Sequence, residues 1–312
     1  MPEGVRVSVV MPVHNAAPFV EMAVRSALAS DLRQLEVIVI DDGSEDQSAA
    51  IVEAISDPRV VLLRTPPSGG PSRPRNIGIA RAKAPYVAFL DADDLLKPDK
   101  LSTATAALEQ HPHAAFAFAD FESVDENGAV LKASFLSGYE ALTTLTAAPT
   151  SGGWHLIPQQ QLARALVREN FIGTSGVVAR TAIIAKVGAF DELLKYSEDR
   201  DLWFRLAHSY DALYRDRVGH SYRIRTGSLT HGSQIRNARA RIAVLQREKA
   251  RWQRGERAVR TQLDSLIAEN FAGIAYEERR HDRVQAILMF ARAFATSPQV
   301  RWLRGMLGSV VR

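Results

Sequence analysis

Three aspartates stand within four residues in the stretch "YVAFLDADD": Asp91, Asp93 and Asp94, with Ala92 between the first two. An apolar run leads straight into them, which places them where a buried strand ends. At about 5 Å and an effective dielectric near 20, each like-charged pair costs on the order of 3 kcal/mol. A bound cation would reverse that repulsion. In an extended chain, residues two apart point the same way, so Asp91 and Asp93 can face one ion. Hard carboxylate oxygens suit Mg2+ or Mn2+, with phosphate oxygens filling further positions. Capping of the helix that follows is the other reading of these acids.

Three more groups sit at strand ends or helix starts. In "VIDDGSEDQS" (39–48), Asp41 and Asp42 leave a strand, Gly43 allows a tight turn, and Ser44 or Asp46 can cap the next helix. A carboxylate there can accept from a base N–H or a ribose hydroxyl. In "GGPSRPRNIG" (69–78), Arg73 and Arg75 lie at a helix start, where free backbone N–H groups already favour anions such as a diphosphate. A solvated arginine face is the alternative. In "YSEDRDLWFRL" (196–206), Glu198 and Asp199 begin a helix whose dipole keeps a carboxylate ionised and usable as a general base, with Ser197 as the expected N-cap. An ordinary charged first turn would look the same.

The elements that must position these groups follow from periodicity. Unalternating apolar runs at 5–11, 35–42, 59–64 and 86–90 read as strands buried on both faces. Helical patterns at 17–30, 45–56 and 72–83 separate them. The fold class is therefore α/β, a Rossmann-like, mostly parallel sheet flanked by helices. In such sheets ligands bind at the carboxyl ends of the strands. Further along, 97–112 reads as a helix and 114–134 as a hairpin turning at Asn127-Gly128. Residues 145–160 read as a mobile loop, 160–169 as a helix, 173–179 as a strand, and 212–218 and 220–225 as two late strands. From about 233 the chain reads as helices, with turns near Gly255, Gly273 and Ser297-Pro298.

Composition bounds the rest. The 312 residues are 46% hydrophobic, enough to build a core, and include no cysteine, which excludes disulfides and thiolate metal sites. The start, "MPEGVRVSVVMPVHN", enters a strand almost at once, so neither a signal peptide nor a membrane span is expected, and a cytoplasmic location is the default. The net charge of +4 is unevenly spread. Residues 233–312 hold 16 Lys/Arg against 7 Asp/Glu, a net of +9, and residues 1–232 hold 23 against 28, a net of −5. Two domains are expected, 1–232 and a basic helical extension, 233–312.

The segments "VSVVMPVHN" (7–15), "EVIVIDDGSEDQS" (36–48), "PRNIGIARAKAPYVAFLDADD" (74–94), "GAFDELLKYSEDRDLWFRLA" (188–207) and "YRIRTGSLT" (222–230), in this order, resemble glycosyltransferase family 2 and its GT-A fold. That resemblance covers about residues 5–230. It implies an inverting transferase, a nucleoside-diphosphate sugar donor (UDP first among them), a divalent cation (Mn2+ or Mg2+) and a glycan or lipid-linked, cell-envelope acceptor. It implies that Pro12, Val13, His14 and Asn15 line the nucleotide pocket, His14 standing where tyrosine is more frequent in the family. Asp42 accepts from the base, Arg75 contacts the diphosphate, and Asp91 and Ala92 join the donor site. Asp93, with Asp91, holds the metal, and Asp199 is the catalytic base. Arg225 stands near where the family often has a histidine, leaving His220 and His231 open as helpers at the metal. Trp154 is expected either in an acceptor wall or in packing. The basic tail is expected either to contact a membrane peripherally or to pack as a helical appendage; no nucleic-acid module is recognisable. Two other functions are compatible with an acid-rich α/β sheet: a nucleotide-sugar-binding protein without turnover, and a nucleotidyltransferase.

Overall fold

In the computed structural model, residues 4–146, 151–225 and 233–310 are described. The chain divides into two compact units, Met1–Arg225 and Thr226–Arg312. The first alternates β1 (Val7–Val13), α1 (Val20–Leu28), β2 (Leu35–Asp42), α2 (Ser48–Glu53), β3 (Val60–Thr65), α3 (Ser72–Arg81) and β4 (Tyr86–Phe89). It continues with β5 (Leu95–Leu96), α4 (Lys100–Gln110), β6 (Ala114–Val124), β7 (Val130–Lys132), α5 (Glu140–Thr143), β8 (Trp154–Ile157) and α6 (Gln159–Arg168). It closes with β9 (Val178–Arg180), α7 (Thr181–Lys186), α8 (Glu198–Ala207) and β10 (Asp211–Arg223). The second unit is helical: α9 (Gln234–Arg251), α10 (Arg257–Glu278), α11 (Arg283–Thr296) and α12 (Val300–Val310).

The strands form one sheet in the order β3-β2-β1-β4-β9-β6-β10-β5, with β7 on β6 and β8 on β10. β3, β2, β1 and β4 run parallel. Every residue of β2 is buried, as expected for a strand covered by helices on both faces. α1 covers one face through Val20, Ala23, Val24, Ala27 and Leu28, the three-and-four spacing of a single helical stripe. α3 covers the other face and lies unusually close. A Cβ on Gly78 would stand 2.4 Å from Val10 Cγ1 and 2.8 Å from Ile40 Cδ1, so only glycine lets this helix seat.

Register brings the loops to one edge. Val13 pairs with Asp41, and Asp42 with Thr65, so β1, β2 and β3 end level. β9 is antiparallel to β4, pairing Val178 with Ala88, which delivers the residues before β9 to the carboxyl end of β4. β5, just after the aspartate cluster, pairs Leu96 with His220 of β10 and draws the end of β10 to the same place.

Several expectations are corrected. Residues 91–94 are not extended but turn back, Asp94 N–H donating to Asp91 O at 3.1 Å. The two late strands are one strand, β10, irregular in register between Arg215 and His220. The strand expected at 173–179 begins only at Val178. Of the loop expected at 145–160, residues 147–150 lie outside the described residues, Trp154–Ile157 form β8, and Gln159 already begins α6. Trp154 is 2% exposed with the side chains of Lys100 and Arg215 against its ring, so packing is its role here. Ser197 adopts a left-handed φ of 58° and its side chain makes no cap bond to α8. Gly273 lies inside α10 and turns nothing.

Candidate active site

The residues expected to receive a nucleotide are tied together by short polar contacts. The backbone N–H of Asn15 donates to Ser44 Oγ (3.0 Å), and Glu45 N–H donates back to Asn15 Oδ1 (2.9 Å). Asn15 holds a φ of 50°, a left-handed conformation asparagine tolerates better than most residues. Ala17 N–H donates to Asp46 Oδ2 and Ala16 N–H to Ser48 Oγ. The N-cap of α2 is Gln47, without a side-chain cap bond, and Ser44 and Asp46, expected as caps, instead lace the turn after β1 to the turn after β2. Pro12 and Val13 end β1 beneath this lacing. His14 is exposed, and its Nδ1 lies 3.0 Å from Asp42 O. A carbonyl can only accept, so Nδ1 carries the proton and Nε2 is left as an acceptor.

Asp42 is buried at the end of β2, where Ser68 donates to its carboxylate from both N–H (3.0 Å) and Oγ (2.7 Å). Ionised aspartate has about four acceptor sites, so a further donor can still be received. Ser68 was not singled out from the sequence; its signal was a serine ending "TPPS" in the loop after β3.

The second cluster centres on Arg75. Its side chain is 4% exposed, and its two terminal nitrogens diverge, Nη2 to Asp91 Oδ1 and Nη1 to Glu198 Oε1, each at 2.7 Å. The guanidinium also lies over Phe190, 5.3 Å from the ring centroid. Burial works against its charge, yet Asp91 and Glu198 hold its proton more firmly than usual. One arginine thus joins the aspartate cluster after β4 to the acids opening α8. Burial, then neighbouring Asp199, push the Glu198 carboxyl up to about 7 against the pull of Arg75. Asp199 is also pushed up, chiefly by burial, with the charge of Asp91 adding to the shift. Its Oδ1 accepts the Arg200 N–H at 2.6 Å. A carboxylate made more basic than usual but not sealed from solvent suits a proton acceptor.

The remaining aspartates differ from one another. Asp91 N–H donates to Ser175 Oγ (3.1 Å), in the segment β9 delivers. Ala92 is buried in the turn. Asp93 Oδ2 accepts from Arg225 Nε (2.6 Å), and the carbonyl of Asp93 accepts from Arg223 Nε (2.9 Å). Both arginines lie over the Phe19 ring, at 5.2 and 5.7 Å. Asp94 is 1% exposed and accepts the Arg223 N–H (2.9 Å), so it fastens the turn to β10. Burial first, then Asp91, push the Asp93 carboxyl up; burial, then Asp93 and Asp91, push Asp94 further.

Among the described residues no group of three or more His, Asp or Glu side chains is arranged to hold a metal. The donor chemistry still fits a hard cation. The Asp91 and Asp93 side chains remain 33% and 19% exposed, and their oxygens can bind Mg2+ or Mn2+ if phosphate and water supply the rest. His220 is buried, stacked on Phe121 at 4.9 Å, and held neutral, its pKa lowered to about 3 by burial and by Lys100 and Lys97. It packs the sheet rather than reaching the aspartates through a hydrogen bond. His231 lies outside the described residues, as do positions 226–230 of the last matching segment.

A mostly parallel α/β sheet flanked by helices, with two groups of carboxylates converging at its carboxyl edge, defines a GT-A-like scaffold. The family described as glycosyl transferase family 2 matches residues 8–165, and the chain belongs to that family. Succinoglycan biosynthesis protein ExoO of Rhizobium meliloti is 30% identical over 240 residues, covering 76% of this chain and 66% of its own. A glycosyltransferase of Haemophilus influenzae is 39% identical over 122 residues, covering 37% of this chain and 49% of its own. The chain thus spans about half to two thirds of the length of these relatives. Residues 1–349 of S. aureus TarS, solved with UDP-GlcNAc, share the fold at a TM-score of 0.65 and 17% identity, over 97% of this chain and 89% of that one.

Proposed function

We propose that the chain transfers a sugar from a nucleoside-diphosphate sugar, UDP-linked, to a hydroxyl of a glycan or lipid-linked cell-envelope acceptor, with inversion. The observation that carries this reading is the Arg75 bridge: it places Asp91, Glu198 and, beside it, Asp199 at one point of the sheet edge. Complexes of TarS with UDP-GlcNAc and with UDP support a uridine donor, and the name of the succinoglycan relative supports polysaccharide synthesis.

In this reading the turn at 12–15 and Asp42 receive the nucleotide. Arg75, oriented by its two carboxylates, faces the diphosphate side of the donor. Asp93 and Asp91 would hold a divalent cation, Mn2+ or Mg2+, which when bound supplies Lewis-acid neutralisation of the leaving diphosphate. Asp199 takes the proton of the acceptor hydroxyl. The acceptor oxygen bonds to the anomeric carbon from the face opposite the diphosphate, the carbon–oxygen bond to the diphosphate breaks, and nucleoside diphosphate leaves with that electron pair. One displacement inverts the configuration.

The test is Asp199→Asn. Transfer should fall at least a hundredfold, the scale of general-base catalysis, while donor-induced thermal stabilisation stays near wild type. Near-normal transfer would remove Asp199 from its role. Full activity in excess chelator would remove the cation from Asp91 and Asp93, and release of pyrophosphate instead of nucleoside diphosphate would indicate nucleotidyl transfer.

A further inference from the structure

The second unit carries a surface the transferase reading does not use. α11 buries Ala286, Met289, Phe290 and Ala293. Its opposite side presents Val284, Leu288, Ala291 and Ala295, spaced four, three and four apart, with Val284 68% and Leu288 49% exposed. α12 repeats the arrangement. Trp302, Gly305 and Ser309 face inward, a Cβ on Gly305 meeting Phe290 at 2.5 Å, while Val300, Leu303 and Leu307 lie on the outward side at 64%, 39% and 65% exposure. A surface helix ordinarily needs one apolar stripe, turned to its core. These two helices have a second, turned to solvent.

The charge beside the stripes is positive. A cavity of about 610 Å³ is walled by Arg279, Arg280, His281, Arg283 and Ser309, with Glu277 as its single carboxylate. Arg283 immediately precedes Val284, and the wall residue Gly308 immediately follows Leu307, so the cavity rim runs into both stripes. Arg279 is fixed as a wall, Nε donating to Ser309 Oγ (2.9 Å) and Nη2 to Gly305 O (2.8 Å). Arg304 lies on the outward side of α12 as well.

We propose that α11 and α12 dock this chain on an anionic lipid bilayer, the outward stripes entering the interface and the arginine cavity receiving a lipid phosphate. Charge selects this occupant. A second copy would set Arg283, Arg292, Arg301 and Arg304, the four arginines of α11 and α12, which carry no acidic residue, against their own counterparts, whereas an anionic bilayer answers both the guanidiniums and the apolar side chains. A nucleic-acid backbone would leave the stripes in water. Among the described residues no helix is long and apolar enough to cross a membrane, so the helices lie on it. This surface belongs to a different unit from the donor site, and the two can be tested apart.

The full chain should co-sediment with vesicles of phosphatidylcholine mixed with phosphatidylglycerol, should leave pure phosphatidylcholine vesicles in the supernatant, and should release as salt rises. Leu303→Asp with Leu307→Asp should abolish binding. Arg280→Gln with Arg283→Gln should weaken it roughly 25-fold, at about fivefold per basic residue. All these side chains are exposed, so the melting temperature and its rise with UDP-sugar should match wild type, separating a failure of docking from a failure of the donor site. Equal binding to neutral vesicles, unchanged binding of the aspartate variants, or stabilisation by inorganic phosphate without vesicle binding would overturn the proposal. So would a concentration-dependent dimer that the same substitutions dissolve.

Discussion

Arg75 organises more chemistry than any other side chain in the sheet edge. It is nearly sealed from water, it stands between two carboxylates, and its Nε makes no hydrogen bond. Taking away such a cation strands Glu198 in a poorly solvated place and leaves the partly exposed Asp91 unpaired, and breaking a buried ion pair this way costs about 3–5 kcal/mol. Arg75→Met should therefore lower stability by that order and eliminate donor-induced stabilisation. Arg75→Lys is the sharper experiment. A single ammonium keeps the charge but cannot send two rigid N–H groups in divergent directions. We expect it to keep the fold at a cost of about 1.5–3 kcal/mol, one charged hydrogen bond, and to lose most of the transfer rate. Denaturant titration and nucleoside-diphosphate release read the two effects separately; a lysine variant with wild-type transfer would show that the fork geometry is unimportant.

At the scale of elements, α3 matters because it carries Arg75, and it reaches the sheet only through Gly78. Gly78→Ala would gain about 1 kcal/mol of helix propensity. It would also force a methyl to 2.4 Å from Val10, an overpacking that costs typically 1–3 kcal/mol. The net expectation is a lower melting temperature and weaker donor binding, because the helix must lift and take Arg75 with it. A stabilised Gly78→Ala would show that α3 has slack.

The same scale explains what the sequence made legible. β1 to β4 and their helices read correctly because a strand buried on both faces is an unbroken apolar run, and Asp42, Asp91 and Asp93 lay where such a run stopped. β5 and β8 did not, since short edge strands are defined by the partner they meet rather than by their own period, and β10 read as two strands because its pairing with β6 slips between Arg215 and His220. The pairing of Arg75 with Glu198 spans 123 residues and left no local trace. Ser68 and Ser175 were hidden for the same reason. Gly273 misled because an isolated glycine in a 22-residue helix is a modest penalty, not a stop.

For the whole molecule, two buried bases set the response to pH. Lys100 is 2% exposed, its Nζ has no hydrogen-bond partner, and it lies 5.4 Å from the centroid of the Trp154 ring. Burial, helped by Arg215, lowers its pKa from 10.5 to about 7. His220 is lowered from 6.5 to about 3. Between each pair of values the unfolded chain binds the proton and the folded chain resists it, so stability falls as pH falls. Glu198 acts oppositely: raised from 4.5 to about 7, it makes the folded chain the better proton binder in that window and offsets part of the loss from His220. The alkaline window, from about 7 to 10.5, therefore belongs to Lys100 alone among these three groups. Wild type should gain stability with rising pH there, by up to roughly 1.4 kcal/mol per pH unit. Lys100→Met keeps the apolar stem and removes the titration. Scanning calorimetry from pH 7 to 10 should find the variant more stable than wild type at neutral pH and the two converging at high pH. Parallel curves would mean that Lys100 keeps its charge in the fold, and that the ring of Trp154 is a better partner for an ammonium than burial alone allows.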